Sequence, residues 1–237
     1  MKPHQKISAF AISITTSILF IPWVFIKNLL IEKPDWFINP DNQKYNIIGV
    51  ILLGFISIGV YRILLTFVEF MMRSSNYVKK WILSSYYMEG TWIGFYIGVS
   101  GNVRYIIETY EQTLDDLVIK GMSFDETKNL HTFWTSESYN IDANTGEINY
   151  QYKVRSTHEK TDPNGIAYFN FIRDNNKKSP EFIVGYSADS HMTKKCRAVE
   201  KKLSKSTRYD VKKALGEAVL FYEEYKDYVF DNKKKVS

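Results

Sequence analysis

The chain has a single cysteine, Cys196, among its 237 residues. An intrachain disulfide and a cysteine-based zinc centre are therefore excluded, and a reducing compartment fits. Its histidines, His4, His131, His158 and His191, show no HExxH or HxxxH spacing, so metal-dependent chemistry has no motif to rest on. Nucleophile-elbow, P-loop, GxGxxG and paired-cysteine patterns are missing as well. The nearest approach to a catalytic triad is Asp189-Ser190-His191, but sequential neighbours rarely converge as triad geometry requires. The expectation is a protein that is not an enzyme and needs no metal or cofactor. Net charge is also missing where a nucleic-acid binder would carry it. From Tyr86 to Ser237 there are 22 Lys and Arg against 22 Asp and Glu, so the whole +5 excess lies in the first 85 residues. No DNA or RNA partner is expected; basic flanks around membrane spans are.

Long apolar runs are present. Ile7 to Ile26 holds 20 residues without a charge, about 30 Å of helix and enough to cross a bilayer core. A cleaved signal peptide fits less well, because the run exceeds the usual apolar region and no A-x-A-like site closes it. Pro22 falls where the helix would kink, with Trp23 at interface depth. A polar connector from Lys27 to Lys44 follows, with Pro34, Pro40 and the headgroup candidates Trp36 and Phe37. A second apolar run, Tyr45 to Phe70, is broken only by Arg62 and Glu69. Arg62 is late enough to snorkel to an interface, and Gly54, Ser57 and Gly59 offer a small-residue contact patch. Lys2 and Lys6 before the first span, with Arg73, Lys79 and Lys80 after the second, put both termini in the cytoplasm by the positive-inside rule. The expected division is residues 1–73 as two transmembrane helices, 74–87 as a juxtamembrane linker with Tyr77, Trp81 and Tyr86 near lipid, and 88–237 as a cytoplasmic sensor domain.

That domain opens with EGTWIGFYIGVSGNVRYIIETYEQT, from Glu89 to Thr113. Trp92, Gly94 and Tyr96 alternate with Ile93, Phe95 and Ile97, and Ser100-Gly101-Asn102 turns the chain into a second strand. Both faces carry large side chains, so the strand belongs to a closed barrel or a covered sheet. Further strands are expected at Leu117–Phe124, His131–Tyr139, Glu147–Thr157, Ile166–Arg173 and Phe182–Ser187, separated by turn residues such as Asn144-Thr145-Gly146 and Asp162-Pro163-Asn164-Gly165. Short strands with little helix between them predict an antiparallel up-and-down, lipocalin-like β-barrel. From His191 to Lys213 there are nine Lys or Arg against Glu200 and Asp210, and the first half of this tail has room for the last strand. Beyond it Val211, Leu215, Ala218, Tyr222, Tyr225 and Val229 recur at helical spacing, which predicts an amphipathic C-terminal helix. Its basic run reads first as a solvated face, and second as a contact for anionic lipid or phosphate.

A barrel of about eight strands has an interior just wide enough to be filled or to hold one small ligand. Aromatic faces stack on bases, and cationic heads bind phosphates. The inward-facing ligand candidates are Trp92, Tyr96, Tyr105, Tyr152 and Tyr186, with Arg104, Arg155 and Arg173 as cations; for each, core packing or a rim charge is the competing role.

Two N-terminal spans, a short linker and a β-rich domain opening Glu89-Gly90-Thr91-Trp92-Ile93-Gly94-Phe95-Tyr96 together resemble the two-transmembrane β-barrel effectors of bacterial CBASS anti-phage systems, which are associated with cGAS/DncV-like nucleotidyltransferases. The resemblance implies a cyclic dinucleotide bound by the cytoplasmic barrel, homo-oligomer assembly among the lipids of the inner membrane, and loss of membrane integrity that aborts phage infection. It transfers no ligand motif position by position. The alternative is a membrane-tethered, lipocalin-like binder of an apolar small molecule. Interior polarity separates the two, since an apolar ligand needs few polar partners.

Overall fold

The structure is a computed structural model that describes residues 3–32, 40–156, 164–190 and 194–230. It divides into two compact units, Met1–Val78 and Lys79–Ser237. Trp36, Phe37, His158, Pro163, His191 and the lysines after Asn232 lie outside the described residues, as does the expected Asp162-Pro163 part of a turn.

The first unit holds helices α1 (Pro3–Glu32) and α2 (Pro40–Ser74), which pack against each other. Buried residues recur every four positions on α1, at Ile7, Ala11 and Thr15, as one contact stripe of a helix requires. Among the described side chains of the pair, large apolar ones point outward at Phe10, Phe20, Phe55, Ile63, Phe67 and Phe70. Thr16 and Ser17 donate their hydroxyls to the carbonyls of Ile12 and Ser13, each at 2.9 Å, so they are satisfied within their own helix. Among the described residues one stretch, Gly54–Ser74, is long and apolar enough to cross a membrane, and Gln5–Phe20 is a shorter apolar helix. The expected first span is thus helical throughout, but its described apolar part falls short of a full crossing.

A short helix, α3 (Asn76–Leu83), runs across the division between the units and ends in a 3₁₀ turn, Ser84–Tyr86. The second unit is a closed barrel of eight antiparallel strands: β1 (Gly90–Ile97), β2 (Val103–Gln112), β3 (Leu117–Phe124), β4 (Leu130–Asp142), β5 (Glu147–Ser156), β6 (Asn164–Ile172), β7 (Phe182–Asp189) and β8 (Cys196–Ser204). Each strand pairs with its sequence neighbour, and β8 closes on β1. Strand β4 outruns its expected end at Tyr139 because a bulge between Ser136 and Ser138 shifts the alternation by one residue, which hides the strand's continuation from a period-two reading. The Ser136 hydroxyl fills the break by accepting the Ile119 amide at 2.8 Å. At Gly146 the backbone reaches φ +80, which closes the β4–β5 turn in a conformation that glycine adopts most readily.

Both faces of β1 are buried, for two different reasons. Trp92 and Tyr96 point into the barrel, while Ile93 and Phe95 point out beneath a C-terminal helix, α4 (Val211–Phe230). Asp210 starts that helix by accepting the Lys213 amide at 2.8 Å, an ordinary N-cap. Ala214, Leu215, Ala218 and Phe221 seat it on Ile93, Phe95, Tyr105, Ile107 and Val199. The stripe is rotated from the expected one: Val211 stands exposed, and Ala214 and Phe221 take the central places.

Inside, one end of the barrel is packed solid. Trp92, Tyr110, Leu117, Ile119, Ile148 and Ile183 fill it, and the chain entering β1 plugs it. Gln112 holds that plug by accepting the Met88 amide at 2.7 Å and donating to the Tyr86 carbonyl at 2.8 Å, and the Trp92 indole donates to the Met88 carbonyl at 2.9 Å. A mostly buried ion pair, Lys79 with Glu89, ties α3 to the start of β1.

Candidate functional site: a polar cavity in the open half of the barrel

Above the packed half the barrel holds a cavity of about 240 Å³. Its rim is built by the β1–β2 turn (Gly98 to Ser100), Arg104, His131 and Thr132 at the start of β4, Ser187 and Asp189 at the end of β7, and Cys196. Its walls are Tyr96, Trp134, Tyr150, Tyr152 and Phe169, and it reaches down to Glu108 and Glu200.

Glycines on inward positions make the room. The Trp134 ring lies where a Cβ on Gly121 would have to sit, and the Tyr152 ring does the same opposite Gly165. Gly94 faces Glu200 across the β1–β8 pair, and a Cβ there would stand 2.8 Å from the Glu200 Cγ. Large polar side chains are thus folded flat over bare backbone, which leaves the middle of the barrel open.

Glu108 and Glu200 are each 1% exposed, although an isolated buried carboxylate is strongly disfavoured. The barrel surrounds them with donors. The Trp134 indole and the Tyr150 hydroxyl both donate to Glu108 Oε1, at 2.8 and 3.0 Å, and the Tyr110 hydroxyl donates to Glu200 Oε2 at 3.3 Å. Burial still raises both carboxyls above the ordinary range, and for Glu200, raised furthest, the charge of neighbouring Glu108 adds to it. The two carboxyls thus titrate as a pair, both shifted toward the protonated form by burial, with Glu200 shifted further by the charge beside it. Glu108 Oε2 is buried and receives no indole, amide or tyrosine donor, and its neighbour is the Glu200 carboxyl.

Nearer the rim, Tyr152 donates to Asp189 Oδ1 at 2.9 Å, and burial followed by the Asp189 charge pushes its ionisation up. Burial raises Tyr96 to about 12, so it serves as a neutral hydrogen-bonding group. Burial raises the Cys196 thiol too, with help from Asp189, which makes it a poor nucleophile. Among the described residues no three or more His, Cys, Asp or Glu side chains gather as a metal site would need.

Of the residues expected to face a ligand, Tyr96, Arg104 and Tyr152 meet in this cavity. Trp92 points inward but belongs to the packed half, where Lys202 lies 5.1 Å from its ring. The other inward assignments are corrected. Tyr105 points out from β2 and meets Tyr222 of α4 edge-on at 6.0 Å, because the alternation that brings Arg104 in turns it out. Tyr186 points out from β7, stacked on Tyr168 at 5.8 Å with Lys195 4.0 Å above its ring. Arg155 is exposed on the outer face of β5, its neighbour Val154 having the inward place. Arg173 lies beyond the end of β6 at the packed end, donating to the carbonyls of Ala143 and Lys178.

Sequence reading missed Glu108, Glu200, Trp134, Tyr150 and Asp189. The first had a visible signal: Arg104, Ile106, Glu108 and Tyr110 share one parity on β2, so an inward arginine implied an inward glutamate. Glu200 had none, because β8 is so rich in lysine that it shows no alternation.

Neither family models nor curated proteins nor solved structures yield a match to this chain.

Proposed function

We propose that this chain is a membrane-anchored receptor that binds a nucleotide second messenger, in the manner of a two-transmembrane CBASS effector. On this reading α1 and α2 form two spans in the bacterial inner membrane, both termini lie in the cytoplasm, and the barrel senses a cyclic dinucleotide. The carrying observation is the cavity: aromatic walls, carboxyl and hydroxyl groups in its depth, and Arg104 at its rim. An apolar ligand gains nothing from two buried carboxyls, so the lipocalin-like alternative is disfavoured.

Size and charge together dictate a pose. The cavity, about 240 Å³, is smaller than the roughly 300–1,000 Å³ of a pocket that takes a whole drug-sized ligand. Phosphates are repelled by the carboxyl pair and attracted to Arg104. One base therefore enters between Tyr96, Trp134 and Tyr152, while the phosphates and the second nucleotide stay at the mouth. Each stacked base contributes on the order of 1–3 kcal/mol.

Output follows from the helices. One helix pair cannot enclose an aqueous path, so membrane damage requires several copies. Ligand shifts the assembly equilibrium only by binding the assembled state more tightly. The test reconstitutes the full chain in dye-loaded anionic vesicles and adds a panel of cyclic dinucleotides. Dye release and crosslinked oligomers that depend on ligand, and that weaken with Arg104→Ala or Tyr96→Ala, are expected. Tight binding of a fatty acid with no response to any cyclic nucleotide would reverse the choice.

A further inference from the structure

We propose that the packed end of the barrel carries a seat for an anionic lipid headgroup, in which the Lys202 ammonium meets the phosphate while Lys80 and Lys205 flank it. This rests on the anchored part of the reading above and not on its ligand. Lys202 lies opposite Trp92 near the end of β8, and its ammonium is 4.6 Å from the centre of the Tyr87 ring and 5.1 Å from that of Trp92. Those rings position the cation but supply no counter-charge. The ion pairs found among the described residues are Lys79–Glu89, Lys120–Glu111 and Lys226–Glu223, and Lys202 is in none of them. Glu89 is taken by Lys79, while Glu181 is exposed and meets Lys202 through its backbone carbonyl, which accepts the Lys202 amide at 2.8 Å. Lys80 and Lys205 stand close enough to oppose the Lys202 charge. A half-buried ammonium without a carboxylate partner is costly, and a bound anion offsets that cost.

The length of the chain decides the source of that anion. Lys80 follows Ser74, the last residue of the apolar stretch Gly54–Ser74, by six residues, which reach at most about 22 Å when fully extended. With that stretch in a bilayer, Lys80 is tethered within reach of the phosphates, which begin just outside the hydrocarbon core. Next to it on α3, Trp81 is 77% exposed while Leu83 is 2% exposed, so the helix turns an amphipathic ring outward beside its lysine. Tryptophan and lysine side by side suit the membrane–water interface. The polar cavity opens at the other end of the barrel, by the β1–β2 turn and the end of β7, so a nucleotide in it leaves this seat untouched.

The test supplies phosphatidylglycerol or phosphatidylcholine to the full chain in neutral detergent micelles and counts retained lipid by native mass spectrometry. The wild type is expected to retain phosphatidylglycerol at least about fivefold better. Lys202→Met keeps the stem and removes the charge, and is expected to lose about fivefold of that retention, as is Lys80→Ala, the usual worth of one lysine at an anionic surface. Lys153→Ala, an exposed position on β5 beside the cavity residue Tyr152, should change nothing. The pH profile separates binding from packing. Burial, then the Lys80 charge and more weakly Lys205, lowers the Lys202 ammonium to about 7 against the opposing pull of Glu181 and Glu89. Wild-type retention should therefore fall from about pH 6 to 8 while that of Lys202→Met stays flat. Equal retention of the two lipids, unchanged retention in Lys80→Ala, or an equal loss in Lys153→Ala would overturn the seat. Displacement of phosphatidylglycerol by inorganic phosphate or by cyclic di-GMP would show that lipid is the wrong occupant. Should Lys202→Met fail to fold, Lys80→Ala and the wild-type pH profile still decide. A chain recovered from cells in the aqueous fraction without detergent would bring down the anchored reading, whereas an anchored chain with no lipid preference brings down this inference alone.

Discussion

Glu200 shows how a residue can be costly to the fold and still be retained by it. Its carboxyl is raised by burial and by the Glu108 charge, so the folded state holds a proton that the unfolded chain releases. The sign follows from linkage: stability due to this pair is fully present below the unfolded carboxyl value of about 4.3 and is lost as pH rises through the folded value. Lys202 works oppositely. Burial lowers its ammonium to about 7, so the unfolded chain binds the extra proton and this contribution improves above neutrality. The readout is therefore the difference between wild type and Glu200→Gln between pH 5 and 7. Urea unfolding is expected to show the variant gaining on the wild type as pH rises, and a constant difference would contradict the pairing. Gly121→Ala tests the cavity wall. Its methyl collides with the Trp134 ring, so a loss of about 1–3 kcal/mol and a shifted tryptophan emission are expected.

Helix α4 accounts for the outer face of β1. Phe221 is 3% exposed and contacts Phe95 at 5.9 Å and Phe182 at 5.7 Å between ring centroids. Phe221→Ala is expected to cost about 3–5 kcal/mol. The barrel's hydrogen-bonded closure should persist, so far-UV circular dichroism of the variant below its transition should retain its strand signal while α4 loses protection from hydrogen exchange. Strands whose inward residues are apolar and whose outward residues are polar were easy to read. Strand β3 matches expectation at both ends for that reason, with Leu117 and Ile119 facing in and Lys120 facing out. Strand β8 was not, because Lys201 and Lys202 stand on opposite faces and share one composition.

At the scale of the whole molecule the compact barrel unit begins at Lys79, earlier than the expected domain start at residue 88. Leu83, Tyr87 and Met88 are buried, and Lys79 pairs with Glu89. A fragment of residues 79–237 is expected to melt cooperatively on its own, whereas one of residues 88–237 should lose several degrees of melting temperature. Equal stability of the two fragments would show that the plug contributes nothing.

What the sequence by itself determined is what period and composition encode: a β-rich domain after apolar helices, the β1–β2 hairpin, most strand positions, the C-terminal helix and an inward-facing Tyr96 and Arg104. These are local, since a strand's two faces are set by alternation alone. Tertiary structure decided which large residues became core and which became site. Tyr96 and Trp92 share one face of one strand, yet four residues of rise put the first in the open half and the second in the packed half. The carboxyl pair belongs to closure most of all. Glu108 and Glu200 are 92 positions apart and meet only because β8 returns to β1, with Gly94 leaving the space between the strands that carry them.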